Sequence, residues 1–158
     1  MINISFIIRQ FKSADKEIIK KLNIDGLNQF GASIGDPALD KDLDKIEELY
    51  IANGDFLVGT VDENLICMGA YRKVDEITAE IKRIRIKMEF QGRGYGSQIL
   101  AALEKSAEYK GYTRLILDTT SRQIPAQKLF LKNNYIEFSR RKYDEMELIY
   151  YCKILKDN

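Results

Sequence analysis

Histidine and tryptophan are absent from this 158-residue chain, and it has only two prolines and two cysteines. Without histidine a Ser/His/Asp triad cannot be assembled. A zinc site would need carboxylates and the two thiols, Cys67 and Cys152, which lack ligand spacing. Each cysteine sits in an apolar, strand-like run and reads as a small core residue rather than half of a disulfide. No charge of either sign dominates. With 25 Lys+Arg against 24 Asp+Glu the net charge is +1, so no global field draws the chain to nucleic acid or to an acidic membrane. No stretch approaches the ~20 apolar residues of a bilayer span. The opening MINISFIIRQFKSADKE has neither a basic leader nor a small-residue cleavage site, which predicts a cytoplasmic location. At 45% hydrophobic and 31% charged, the composition is that of a folding chain, and residues 1–158 are read as one domain.

Hydrophobic periodicity predicts a mixed α/β order. Ile4 to Arg9 reads as a strand. Ser13 can cap a helix that carries Asp15 and Glu17 in its first turn and buries Ile18, Ile19 and Leu22, with Gly26 as its stop. Leu39, Leu43, Ile46 and Leu49 to Tyr50 recur at helical spacing and predict a second helix, closed by Asn53-Gly54. Phe56 to Val61 and Leu65 to Tyr71 form a hairpin around a three-residue loop, Asp62 to Asn64. A helix after Gly96 buries Ile99, Leu100, Leu103 and Ala107. A strand runs from Thr113 to Thr119, and Pro125 opens a further helix. Tyr135 to Ser139 and Glu147 to Leu155 are the last strands.

Two features carry chemistry. The strand from Ile77 to Met88 has apolar residues at 77, 79 and 81, then at 84, 86 and 88. Side chains alternate faces with period two, so the change of phase predicts one extra residue, a β-bulge, near Lys82 or Arg83. The strand then feeds Gln91-Gly92-Arg93-Gly94-Tyr95-Gly96 and a helix. Such a turn is an anion cradle, because unpaired backbone N–H groups and the positive end of the helix dipole converge on one point. Its spacing matches neither the dinucleotide fingerprint nor the P-loop.

A Q-x-x-G-x-G turn after a bulged strand resembles the acetyl-CoA pyrophosphate loop of the GNAT acetyltransferases. Residues 79 to 90 resemble that family's central fourth strand, Leu115 to Thr119 its fifth, and Ala126 to Tyr135 its A-x-x-L-Y-x-K-x-G-F segment. The resemblance extends over nearly the whole chain. It implies a central twisted, mostly antiparallel sheet of about seven strands with a bulged fourth strand and about four helices, and acetyl-CoA as cosubstrate without a metal. It further implies that backbone groups of Ile84, Arg85 and Ile86 pair with the pantetheine arm. Gln91, Gly92, Arg93, Gly94, Tyr95, Gly96 and Ser97 form the pyrophosphate cradle, and Gln123 stands where the family often has a cofactor-contacting asparagine.

The same resemblance makes Glu80 the general base for acetylation of an amine, directly or through water. Phe130 occupies the cofactor-side position where many members carry a tyrosine acid, and phenylalanine has no proton to give. Tyr135, with Tyr143, is the nearest substitute phenol. Asn134 replaces a family glycine and tolerates left-handed backbone angles. The missing tyrosine motivates an alternative, a non-catalytic acyl-CoA-binding or regulatory module; a protein-interaction domain that binds no CoA leaves the cradle unexplained. The surplus of Asp36, Asp40, Asp42, Asp44, Glu47 and Glu48 over Lys41 and Lys45 suggests a cationic amine, unless the segment is only a solvated face. Leu148 to Cys152 is apolar on both faces, as in a homodimer strand or a central strand of the chain's own sheet.

Overall fold

The computed structural model describes residues 5–29, 31 and 37–155, with the backbone alone at 37–40. Its strands are β1 (Phe6–Gln10), β2 (Asp55–Val61), β3 (Asn64–Lys73), β4 (Thr78–Ile86), β5 (Arg114–Thr120), β6 (Ile136–Tyr143) and β7 (Met146–Ile154). The α-helices are α1 (Lys16–Gln29), α2 (Tyr95–Tyr109) and α3 (Ile124–Lys132). The seven strands form one sheet in the order β1-β2-β3-β4-β5-β7-β6. Every neighbouring pair is antiparallel except β4 and β5. This is the mixed α/β architecture the sequence implies. No helix among the described residues is long and apolar enough to cross a membrane.

Two cores lie on opposite faces of the sheet. On one, Ala79, Ile81, Leu115, Leu117 and Tyr151 pack with Ile99, Leu100 and Leu103 of α2 and with Phe130 of α3. On the other, Ile19 and Leu22 of α1 meet Leu43, Ile46 and Tyr50 over Phe56, Val58 and Met68. That second layer covers β2, β3 and part of β4. β7 lies between β5 and β6, which accounts for the apolar character of Leu148 to Cys152 within one chain.

Several local expectations are corrected. α1 runs past Gly26 to Gln29. The Cβ of any larger residue at 26 would lie 2.7 Å from Cδ of Arg85, so close packing, not a helix stop, explains that glycine. The second helical stretch is a 3₁₀ segment over Pro37–Asp44 and a π-helical turn over Glu47–Ile51; it still buries Leu43, Ile46 and Tyr50, while Leu49 is exposed. The hairpin loop has two residues, Asp62 and Glu63, both at positive φ, and Asn64 pairs with Val61 inside the ladder. Positive φ at both central positions gives the twist that a tight hairpin requires. Ile4 lies outside the described residues, and the first strand continues to Gln10. Tyr135 precedes β6 and is buried in the core.

The bulge is where the alternation places it. Met68 pairs with Arg85 and Ala70 with Lys82, so Arg83 and Ile84 together oppose Gly69. Arg83 sits at φ 63°. The extra residue lets Ala79 and Ile81 before it, and Ile84 and Ile86 after it, all face the α2 core.

Candidate active site

β4 and β5 pair only at Thr78↔Arg114, Ala79↔Leu115 and Glu80↔Ile116. Beyond Glu80 the bulge turns β4 away, although β4 continues to Ile86 and β5 to Thr120. The sheet is split there, and the β4 edge from Ile81 onward has no ladder partner on the β5 side. Unpaired strand edges present N–H and C=O groups ready to pair with an extended ligand.

A cavity of about 390 Å³ opens at the end of this edge. One wall is Ile84, Arg85 and Ile86 of β4; its floor is Gln91, Gly92, Gly94, Gly96 and Ser97, where the turn enters α2. Gly94 is the N-cap of α2, at φ 88° and ψ 0°, with no side-chain cap bond. The first N–H groups of a fifteen-residue helix therefore face the cavity without a competing side chain. A Cβ on Gly92 or Gly94 would meet nothing within 4 Å. These glycines are required by their left-handed backbone, and the absence of side chains leaves the cradle open to an anion. Gly94→Ala is expected to strain this turn by about 1–2 kcal/mol and to weaken acetyl-CoA binding about ten-fold, measured by calorimetric titration; Gly94→Asn is expected to be milder because asparagine tolerates this backbone.

The cradle is held by side chains on three elements. Gln91 donates from Nε2 to the Ile86 carbonyl at 2.9 Å and exchanges hydrogen bonds of 3.1 and 3.0 Å with Gln29 of α1. Asn133 donates to Ser97 Oγ at 3.2 Å. Gln123 is buried, and its Oε1 accepts from Thr119 Oγ1, Thr120 N and Thr120 Oγ1 at 3.1–3.3 Å, which leaves its Nε2 as the group able to donate to a ligand carbonyl. Arg93 stacks over Phe90 at 5.6 Å, and the Tyr95 ring packs between Phe6 and Phe90. Those two contribute backbone to the turn, while neither side chain lines the cavity.

Sequence reasoning missed the wall formed by α3, where Pro125, Ala126 and Leu129 face the cavity with Lys128 and Lys132. The lysines stand four apart on one helix, a spacing that puts both on one face; this was the available signal. It also missed Gly26, on the α1 rim.

Phe130 and Tyr135 are elsewhere. Phe130 is 4% exposed, in ring contact with Tyr135 and Tyr151. The Tyr135 hydroxyl donates to Glu104 at 2.7 Å, and Glu104 also takes Lys153 at 3.0 Å. Burial and then the Glu104 charge push the Tyr135 phenol well above its usual range. It is a held structural donor that does not line the cavity. Tyr135→Phe is expected to lower stability by about 1 kcal/mol, read from denaturant unfolding, with turnover retained. Tyr143 lies on the β6–β7 hairpin, paired with Met146.

On the sheet face opposite α2, Glu80 is anchored by Arg72 of β3, whose Nε and Nη2 both reach Oε1 at 3.1 Å. Glu80 is at the last β4–β5 pair, where the strands part. Of the acidic residues at 36–48, Asp42 binds Arg83 at 2.6 and 3.0 Å, Asp44 pairs with Lys20, and Glu47 pairs with Lys16. Asp36 and the Asp40 side chain lie outside the described residues. Much of the acidic surplus is thus neutralised internally. No group of three or more His, Cys, Asp or Glu is placed to hold a metal among the described residues. Cys67 is buried and its thiol is pushed up to about 12 by desolvation, so it offers no thiolate nucleophile.

The fold has close counterparts. A GNAT-family acetyltransferase from Staphylococcus aureus Mu50 superposes with a TM-score of 0.87 over 96% of this chain and 100% of its own, at 18% identity. A putative acetyltransferase from Salmonella typhimurium, solved with acetyl-CoA, gives 0.78 over 97% and 95% at 17% identity. An aminoglycoside 6'-N-acetyltransferase solved with coenzyme A gives 0.77 over 96% and 98% at 10% identity. No curated protein matches the chain in sequence. The sequence profile described as "Acetyltransferase (GNAT) family" matches residues 27–135. With that match covering more than half its length, the chain belongs to the GNAT family of acetyltransferases.

Proposed function

We propose that this protein is an N-acetyltransferase that moves the acetyl group of acetyl-CoA to a primary amine by direct attack. The observation that carries the reading is the junction of an α2 N-terminus without a side-chain cap, opened by Gly92 and Gly94, with a β4 edge at Ile84 to Ile86 that β5 does not pair. That junction fits a ligand with a diphosphate at one end and an amide-bearing arm, and two relatives of the same fold were solved with acetyl-CoA or coenzyme A. Acetyl-CoA supplies a thioester, an acyl group already activated for transfer.

In this reading the N–H groups at the start of α2 hold the diphosphate, with Lys128 and Lys132 of α3 adding positive charge at the cavity wall. Ile84 and Ile86 align the arm along β4 as an added strand. Gln123 Nε2 donates to one of its carbonyls. Glu80, fixed by Arg72, accepts the proton that the amine gives up as its nitrogen bonds to the acyl carbon, directly or through one water. The C–S electron pair leaves with sulfur. A thiol titrates near ~8.5, so the departing thiolate needs only modest help from N–H groups or water, and Phe130 need not be replaced by another acid.

The core position of Phe130 keeps a second reading in view, a module that binds acyl-CoA without turnover. One preparation separates the two. Calorimetric titration with acetyl-CoA followed by thiol release across a panel of amines is expected to give binding and turnover; binding without turnover favours the module.

A further inference from the structure

The open face around Glu80 carries more charge than a general base requires. Sheet register fixes which residues share it. Glu80 is paired with Ile116, so Asp118, two residues on, points to the same side of the sheet. Asp118 is paired with Tyr150, Thr120 with Leu148, and Leu148 with Arg141 of β6, which brings Arg141 to that side as well. Lys82, two residues after Glu80 and before the bulge, completes the group. The α1 layer lies over β2 to β4, and Asp118 and Arg141 are exposed while Lys82 is half-buried. All four are therefore accessible beside the split where Glu80 stands.

Their partners differ. Glu80 is held by Arg72, and Arg83 of the same strand by Asp42. Lys82 and Arg141 make neither a hydrogen bond nor an ion pair among the described residues. Asp118 likewise has no side-chain hydrogen bond there. Lys82 and Arg141 thus act on Asp118 only through the field between them, with no direct ion pair among the described residues to tie up either cation. A second positive charge on the acceptor would meet Lys82 and Arg141, whereas a negative one would be attracted.

We infer that the acceptor is an amino acid-like molecule, an amine that also bears a carboxylate, with its nitrogen between Glu80 and Asp118 and its carboxylate against Lys82 and Arg141. The inference rests on the acetyltransferase reading above and replaces the cationic acceptor suggested by composition. Arg141 is two strands from Asp118 and three from Lys82, roughly 14 Å of sheet at ~4.8 Å per strand, a span that two long basic side chains reaching inward over Asp118 can close on a small zwitterion. Asp118 has the character of a binding group. Asp118 keeps solvent-exposed surface, yet desolvation by the surrounding protein and then the Glu80 charge hold its carboxyl above the ordinary range, against the opposing pull of Lys82, Arg141 and Arg83. A carboxylate raised in this way makes the fold less stable once pH exceeds its usual range, and an incoming ammonium relieves that cost.

The test uses the full chain and measures kcat/KM by thiol release from acetyl-CoA. The acceptors are L-alanine, β-alanine and 4-aminobutyrate, each beside its carboxamide and a diamine of matched length. At least one acid is expected to exceed its carboxamide and diamine about ten-fold or more, roughly the discrimination one well-placed ionic contact gives. In the Lys82→Met/Arg141→Met double variant the acid-to-carboxamide ratio is expected to fall to about one, with the melting temperature reporting an intact fold. Asp118→Asn is expected to raise KM for the acid without lowering the melting temperature. Equal use of carboxamide or diamine by the wild type, or a ratio that survives the double variant, overturns the inference. Absence of thiol release with every amine of the panel defeats the acetyltransferase reading instead. The charge inference is then decided by titrating CoA-loaded protein with β-alanine and its carboxamide: selective acid binding lost in the double variant upholds it, and equal or absent binding overturns it.

Discussion

Glu80→Gln is expected to lower kcat/KM for amine acetylation by about 10²-fold or more, the usual contribution of a positioned general base, while acetyl-CoA still binds in a calorimetric titration. The expectation follows from three placements. Glu80 is on the last residue pair that joins β4 to β5, so it stands where the strand edge proposed for the ligand arm begins. Its side chain is 20% exposed, enough to meet an incoming amine and too little to swing freely. Arg72 fixes Oε1 through two nitrogens at 3.1 Å, and among the described residues Oε2 makes no hydrogen bond. Glutamine keeps the shape and removes the proton acceptor, so turnover should fall while the fold and the cavity persist. Retention of wild-type turnover would remove Glu80 from the mechanism.

The largest stability effect is expected at Asp42, far from the cradle in sequence. Asp42 and Arg83 are 12% and 9% exposed and bind through two contacts, at 2.6 and 3.0 Å. The Tyr50 hydroxyl, fully buried, donates to the same carboxylate. Asp42→Ala breaks this buried ion pair and takes the carboxylate from the buried Tyr50 hydroxyl as well, which costs about 3–5 kcal/mol. For a chain of this length that is roughly 6–20 °C in melting temperature. The loss should reach the ligand as well, because Arg83 is the left-handed bulge residue whose anchoring keeps β4 turned from β5. Acid has a parallel effect. Burial raises the Asp42 carboxyl, but the bonds from Arg83 and Tyr50 outweigh it and hold the group below its ordinary value. The unfolded chain therefore takes up the proton first as pH falls; the stabilisation is complete above the usual carboxylate range and is lost as pH drops through the lowered native value. Thermal melts from neutral pH into the acid range check the sign, since the wild type should lose stability there and Asp42→Ala should lose less.

What the sequence revealed depended on whether the cause of a feature was local. The bulge was legible because alternation is a property of consecutive residues, and the step from Ile81 to Ile84 breaks it in view. The glycine turn was legible because positive φ at Gly92 and Gly94 is a demand on single residues. Gly26 misled because its reason is tertiary: the Arg85 side chain of β4, which also bonds Asn23 one turn earlier on α1, fills the space beside it. The acidic run at 36–48 misled for the same cause. Its neutralising partners, Lys16, Lys20 and Arg83, lie on other elements, and no window along the chain brings them together. The two-residue hairpin escaped notice because Asp62 and Glu63 carry none of the glycine that usually marks such a turn. The α3 wall needed the fold to bring Lys128 and Lys132 opposite β4.

The three residue pairs that join β4 to β5 also divide the molecule mechanically. Four antiparallel strands make one stiff plate, three make another, and the seam between them is the weakest stretch of ladder in the sheet. A ligand lying along that seam acts as a keystone, so its occupancy adds to the cohesion of the whole chain. At a concentration 100 times its dissociation constant such a ligand contributes about 2.7 kcal/mol, comparable to a large share of the stability of an ordinary small protein. The resistance of this chain to heat and proteolysis then becomes a gauge of how much of that ligand surrounds it.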